Sequence, residues 1–274
     1  MKRVTKKSIY NPSRRKNARK GDSGRVLIVG GSEQYAGVLA LSGMAALRAG
    51  ADWVTVAAPE RVAWTVESLV PDLVCTKLKG KNLSIQHYKV IRHLLDRHSV
   101  LLFGGGAGTR KDTIKLFEKL GSENIMKVID ADGIKALSMK KIKNAIITPH
   151  KKEAEIFFGK KIKHTKLFAV NENKKLPKDV VVLIKGQVDY IFDNKQIWYN
   201  TTGNPGMAKA GTGDVLAGLV AGYLTQCKSK MKSAITAAFV NGQVGDMFLK
   251  KRKGEYSFVA SDLVSDYKKY IKIK

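Results

Sequence analysis

Short apolar runs alternate along the chain with longer stretches in which apolar positions recur at helical spacing. The runs Arg25–Val29 (RVLIV), 53–57 (WVTVA), Val100–Phe103, 127–129, Ala145–Ile147 and Val180–Ile184 read as buried strands, and 73–78 reads as extended. Helical spacing is found at 38–49, Glu60–Leu69, 86–97, 111–120, from about Lys152, from Asp214, at 232–249 and in a basic final stretch at 262–273. A short helix is expected after Asp130-Ala131-Asp132-Gly133. A hairpin is expected from 190–192 and 196–199, turning at Asp193-Asn194. Strands that alternate with helices predict an α/β fold with a doubly wound, mostly parallel sheet flanked by helices. No linker divides the chain and no internal repeat appears. We therefore expect a basic N-terminal arm over residues 1–24, packing at most partly, and a single domain over 25–274.

In such a sheet, ligands bind beyond the carboxyl ends of the strands. The residues with chemical potential all follow strands: Gly30-Gly31-Ser32, the loop 104–108, Asp130 and Asp132, Thr148-Pro149-His150, and Lys185-Gly186. The most informative stretch is 203–222, GNPGMAKAGTGDVLAGLVAG. Its first half is too rich in glycine for helix or strand. In its second half Val215, Leu216, Leu219, Val220, Tyr223 and Leu224 form one apolar helical face. A glycine turn that runs into a helix N-terminus is an anion site, because its backbone N–H groups are unpaired and the dipole is positive there. Asp214 stands in the first turn. A carboxylate beside a phosphate suits a base that deprotonates an attacking hydroxyl; the bland alternative is a helix cap. The long glycine run before it favours the base.

The other signals are weaker alone. Neither G-x-G-x-x-G nor the P-loop pattern is present. Asp130 and Asp132 could hold a metal, directly or through water, or could cap a helix. His150 could be a surface histidine, and Lys185 one lysine among many. Cys75 and Cys227 lack metal-ligand spacing and suggest no disulfide framework, which fits a reducing compartment. No apolar run reaches the ~18 residues of a membrane span. The basic N-terminus lacks the apolar core of a signal peptide. The formal charge of +27 on 274 residues raises the question of nucleic acid. Only the first twenty residues cluster it, with nine Lys or Arg and no acid; elsewhere the lysines are dispersed, as on a solvated surface. We expect neither a membrane nor a specific nucleic acid as partner.

In order, the chain carries GRVLIVGGSEQYAG, AALRAGADWVTVAAPE, GGGAG, DADG, TPHKKEAEIFFG, VVLIKG and the 203–222 block. Together these resemble the NAD(P)H-hydrate dehydratases, whose fold is similar to that of ribokinase-type kinases. The resemblance spans roughly residues 20–249. It implies repair of hydrated NADH and NADPH: ADP or ATP, with Mg2+, phosphorylates the hydrate's hydroxyl, phosphate leaves, and the ring double bond returns. It implies Asp214 as the base, Ala210, Gly211, Thr212 and Gly213 around the transferred phosphate, and Lys185, Gly186, Gln187, Val188 and Asp189 along the nucleotide. Gly37, Val38, Gly106, Gly108, His150, Asn204 and Asp214 would contact the hydrated dinucleotide. It also implies a cytoplasmic homo-oligomer and, since the chain has no room for one, a separate epimerase. Three positions depart from the family pattern: Ala210 where a glycine is usual, Val38 where alanine is usual, and a loop 104–108 without its proline. None removes a proposed catalytic group. A vitamin or sugar kinase of the same fold is the competing reading.

Overall fold

The computed structural model describes residues 1–11, 17–265 and 267. The chain runs β1 (Lys2–Arg3), β2 (Arg25–Val29), α1 (Gly37–Arg48), β3 (Trp53–Pro59), α2 (Glu60–Leu69), β4 (Val74–Leu78), α3 (Tyr88–Leu95), β5 (Val100–Phe103), α4 (Lys111–Ser122) and β6 (Met126–Ile129). It continues through α5 (Asp132–Ala136), β7 (Ala145–Ile147), α6 (Lys151–Phe158), α7 (Thr165–Glu172), β8 (Val180–Ile184), β9 (Asp189–Phe192), β10 (Ile197–Asn200), α8 (Thr212–Cys227), α9 (Lys230–Lys251) and α10 (Ala260–Ser265).

These strands form one sheet in the order β1-β10-β9-β8-β7-β6-β5-β2-β3-β4. Every pairing is parallel except β8–β9 and β9–β10. The fully apolar strand runs follow from this layout, because both faces are covered. Val26 and Ile28 join a core with α1, α2, α8, α9 and α10, whereas Leu27 and Val29 join one with α3 to α7. The chain winds outward from β2 to β4, returns to β5 beside β2, and then winds the other way. The expected doubly wound, mostly parallel architecture is the one observed, with its switch point between β2 and β5.

Several local expectations are revised. The arm is not merely loose: Lys2 and Arg3 pair with Trp198 and Tyr199, and Val4 is buried. The expected helix at 86–97 is a 3-10 turn at Ile85–His87 followed by α3. The helix α7 had no counterpart in the sequence reading. Most of the expected final helix at 262–273 lies outside the described residues, beyond α10. The hairpin forms as expected, with Asp193 Oδ1 accepting from the N–H groups of Lys195 and Gln196, both at 2.8 Å.

The helix α8 corrects the amphipathic reading. Residues 215–225 are all buried, on every face. The reason is its glycines. A Cβ on Gly218 would lie 2.1 Å from the Ser42 carbonyl oxygen, and one on Gly222 would lie 2.5 Å from that of Ala46. The helices α1 and α8 therefore touch backbone to backbone. Gly218→Val should destabilise the fold by about 1–3 kcal/mol or more in urea unfolding. Gly37→Ala, where an added methyl meets open space, should change it by no more than about 1 kcal/mol.

Candidate active site

The carboxyl ends of the central strands form a staircase. The N–H of Gly104 donates to Val29 O, that of Asp130 to Phe103 O, that of Thr148 to Ile129 O, and that of Lys185 to Pro149 O, at 2.8–3.1 Å. Each residue just past a strand is thus fixed by its neighbour. At the switch point the two glycine loops interlock: Gly31 N–H donates to Gly105 O at 2.8 Å, and a Cβ on Gly30 would lie 2.6 Å from the same oxygen.

The start of α8 faces this crevice. Gly211 is its N-cap, at φ +89°, and no side chain caps the helix. Asp214 stands in the first turn, not at the cap position itself. Its carboxyl lies across from the 104–108 loop, with Oδ1 3.6 Å from where a Gly105 Cβ would be. Asp214 and Asp130 line a small cavity with Val38, Ser42, Phe103 and Gly105; its ~10 Å³ of space for a solvent centre holds about one water. Burial, then the nearby Asp130 charge, push the Asp214 carboxyl up to about 7, against partial relief from Lys185 and its own backbone N–H.

Asp130 is buried at the end of β6 and accepts from Thr148 Oγ1 at 2.7 Å and Lys185 Nζ at 2.9 Å. Burial pulls the Lys185 ammonium down, but Asp130, Glu153 and Asp214 outweigh it and hold the group above its ordinary value. The ammonium lies 3.4 Å from where a Gly213 Cβ would be, so Lys185 and the first turn of α8 meet. Asp132 accepts from Gly108 N–H at 2.9 Å and pairs with Lys135. Neither aspartate caps α5. Its N-cap is Ala131, at φ +49°, a strained backbone that turns Asp130 and Asp132 apart.

His150 is the N-cap of α6. Its Nδ1 accepts from Lys152 and Glu153 N–H, so the neutral ring carries its proton on Nε2. Glu153 closes the box by accepting from His150 N–H at 2.9 Å, and its Oε1 is 3.5 Å from His150 Nε2. In the segment 185–189, Gln187 is exposed, while Asp189 folds back to accept from Gly186 N–H and Asn200 Nδ2. Burial lifts Asp189 to about 6, with those two donors opposing the rise.

Gly37 and Val38 begin α1 beside the crevice; Val38 Cγ2 would be 2.8 Å from a Cβ on Gly106. Ala210 is exposed on the turn, and Thr212 Oγ1 braces that turn by donating to Met207 O and Lys209 O. Asn204 caps the 3-10 turn Pro205–Met207 and donates to Asp246 of α9. The geometry thus joins Asp214, Gly213, Lys185, Val38 and the 104–108 loop, whereas Asn204 is tied to α9. The sequence reading missed Glu153 and Asp246. The capping-box spacing from His150 to Glu153 was a usable signal for the first; the second has only its tertiary contact.

A family model described as NAD(P)H-hydrate dehydratase matches residues 26–269. The chain belongs to this family. It is 32% identical over 253 residues to the ADP-dependent (S)-NAD(P)H-hydrate dehydratase of Nitrosopumilus maritimus, covering 88% of this chain and 87% of that one. It is 38% identical over 246 residues to the bifunctional NAD(P)H-hydrate repair enzyme Nnr of Pyrobaculum aerophilum, covering 87% of this chain and 49% of that one. The chain thus spans about half the length of the first curated relatives it matches. Its fold matches the Bacillus subtilis ADP/ATP-dependent NAD(P)H-hydrate dehydratase co-crystallised with ATP/Mg2+, with TM-score 0.80 at 21% identity over 96% of this chain and 94% of that one. The architecture is ribokinase-like.

The raised Asp214 carboxyl has a cost in stability. The folded state keeps this proton up to about pH 7, whereas the unfolded chain loses it near pH 4. Stability from this group therefore falls as pH rises through that window. Asp214→Asn should melt above the wild type at pH 8, with the difference vanishing near pH 4, as read by calorimetry.

Proposed function

We propose that this chain uses ADP or ATP to dehydrate (S)-NADH- and (S)-NADPH-hydrate back to NADH and NADPH. One observation carries the reading: an aspartate with its carboxyl near 7 stands in the uncapped first turn of a helix, beside a lysine ammonium and at the sheet's switch point. That is a base next to an anion site. Family membership supports this chemistry.

The roles follow from position. Deprotonated Asp214 takes the proton from the hydrate's hydroxyl as its oxygen attacks the terminal phosphorus of the nucleotide. The N–H groups of 210–213 and the Lys185 ammonium face the charge on the transferring phosphoryl group. The resulting ester then loses phosphate with the C–O bonding electrons. A proton leaves the adjacent ring carbon, and the double bond is restored. Gly37, Val38, Gly106, Gly108, His150 and Asn204 are assigned to the hydrated dinucleotide, and Lys185, Gly186, Gln187, Val188 and Asp189 to the donor nucleotide. Among the described residues no cluster of three or more ligating side chains exists. Mg2+ fits here as an ion carried on the donor's phosphates, with Asp130 and Asp214 the nearby carboxylates; when bound, it would neutralise phosphate charge.

Within the same proposal, residues 25–274 act as one catalytic domain carrying the basic arm 1–24, and the protein works in the cytoplasm as a homo-oligomer. The bifunctional name of the half-covered relatives supports a companion repair activity, which we take to be an epimerase. No helix among the described residues is long and apolar enough to cross a membrane.

With hydrated NADH, Mg2+ and either nucleotide, absorbance at 340 nm should rise only when the nucleotide is present, and the better donor will show the higher kcat/KM. Asp214→Asn should lower kcat by about 10²–10⁴ with little change in KM. Nucleotide turnover with a vitamin alcohol, and none with the hydrate, would instead assign a kinase. For the wild type, kcat/KM should fall below about pH 7 as Asp214 takes up its proton.

A further inference from the structure

Asn200 ends β10 and is 1% exposed. A carboxamide has two N–H donors and an oxygen with two lone pairs, and here every one is engaged. Nδ2 donates to Asp189 Oδ2 at 3.0 Å and to Ala238 O of α9 at 3.2 Å. Oδ1 accepts from Thr202 Oγ1 at 3.0 Å and from Thr202 N–H at 3.4 Å. Thr202 Oγ1 also lies 3.0 Å from Phe239 O of α9. A buried polar network satisfied on all sides fixes the arrangement of what it touches. Asn200 has no part in the chemistry proposed above.

What it touches leads to the cleft. Asn200 and Asp189 stand directly opposite each other in the antiparallel pair β9–β10. The second oxygen of Asp189, Oδ1, accepts from the Gly186 N–H at 3.1 Å. One carboxylate therefore joins the loop after Lys185 to Asn200. Gly186 and Gln187 are exposed, so packing does little to hold that loop. Burial penalises the Asp189 charge, and the Asn200 and Gly186 donors offset it. Of these two donors, Gly186 moves with the loop. Asn200 does not, because α9 and Thr202 hold its other bonds.

We propose that Asn200 is a positioning residue for the donor nucleotide, acting through Asp189 and Gly186 to hold the segment 185–189 in its binding shape. The proposal rests on the functional reading above, which assigns that segment to the nucleotide. Asn200 is buried, so it acts without touching the ligand. Without its Nδ2 donor, the Asp189 carboxylate loses its fixed partner, and the Gly186 N–H loses a fixed acceptor. The loop would then have to be ordered when the nucleotide binds, and affinity falls by that cost.

Titration calorimetry of the intact chain with ADP and with ATP, each with Mg2+, tests this. Asn200→Asp and Asp189→Asn keep side-chain size but set like groups against each other, two carboxylates or two amides. Each should raise the nucleotide dissociation constant at least about tenfold, the loss of one hydrogen bond to a charged group. Together they exchange donor and acceptor across the pair, and the double variant should regain most of the loss. Thr202→Val removes the other side of the network. It should lower the melting point yet bind nucleotide within about twofold of the wild type. If Asn200→Asp alone does not fold, Asp189→Asn against the double variant carries the same comparison. Single variants that bind like the wild type would overturn the proposal. So would a double variant no tighter than the weaker single one, or a Thr202→Val that weakens binding as much as they do. A wild type that binds neither nucleotide overturns the functional reading as well, whereas a binding wild type with unaffected variants overturns this proposal alone.

Discussion

The close approach of α1 and α8 is the contact on which the site depends. Gly218 and Gly222 let the two backbones meet at Ser42 and Ala46. Both helices begin at the crevice, so this contact sets their first turns side by side: Gly37 and Val38 on one, Thr212 to Asp214 on the other. Ser42 Oγ donates to Val38 O at 2.9 Å, so its hydroxyl spends its hydrogen bond within α1 and needs no space toward α8. Neither helix start has a side-chain cap. Two positive helix ends held in parallel without caps repel each other mildly and attract an anion strongly. A larger residue in the contact would part the helices and draw Asp214 away from the 104–108 loop.

The sheet supplies the other half. The staircase of backbone hydrogen bonds from Val29 to Lys185 places Gly104, Asp130, Thr148 and Lys185 in one row. Within that row the charges are arranged in opposition. Asp130 is buried and accepts from Thr148 and Lys185, and its charge raises the carboxyl of Asp214. One carboxylate is thus committed to structure while the other is kept near neutral pH, a separation of roles that acid–base chemistry needs.

The architecture was legible because parallel strands covered on both faces read as continuous apolar runs, and each is followed by a turn with distinctive residues. Arg25–Val29, Val100–Phe103, Ala145–Ile147 and Val180–Ile184 were read to the residue. The glycine turn and Asp214 were legible for the same local reason. What escaped depends on distant contacts. Gly218 and Gly222 look like weak helix formers until α1 is placed against them. The pairing of Lys2 and Arg3 with β10 depends on residues nearly two hundred positions away. Asp246 finds Gly203 and Asn204 only because α9 returns past the glycine turn. For Glu153 the spacing was visible, but not its burial.

Lys185 lies where the sheet changes from parallel to antiparallel pairing. The strand β8 leading to it is held by β7 on one side and β9 on the other, and Asp189 ties off the segment behind it. The ammonium therefore occupies its place before any ligand arrives. Most of the entropy needed to order this part of the cleft is lost when the chain folds, not when a ligand binds. Recognition on this side of the cleft is accordingly closer to a rigid fit than to loop closure.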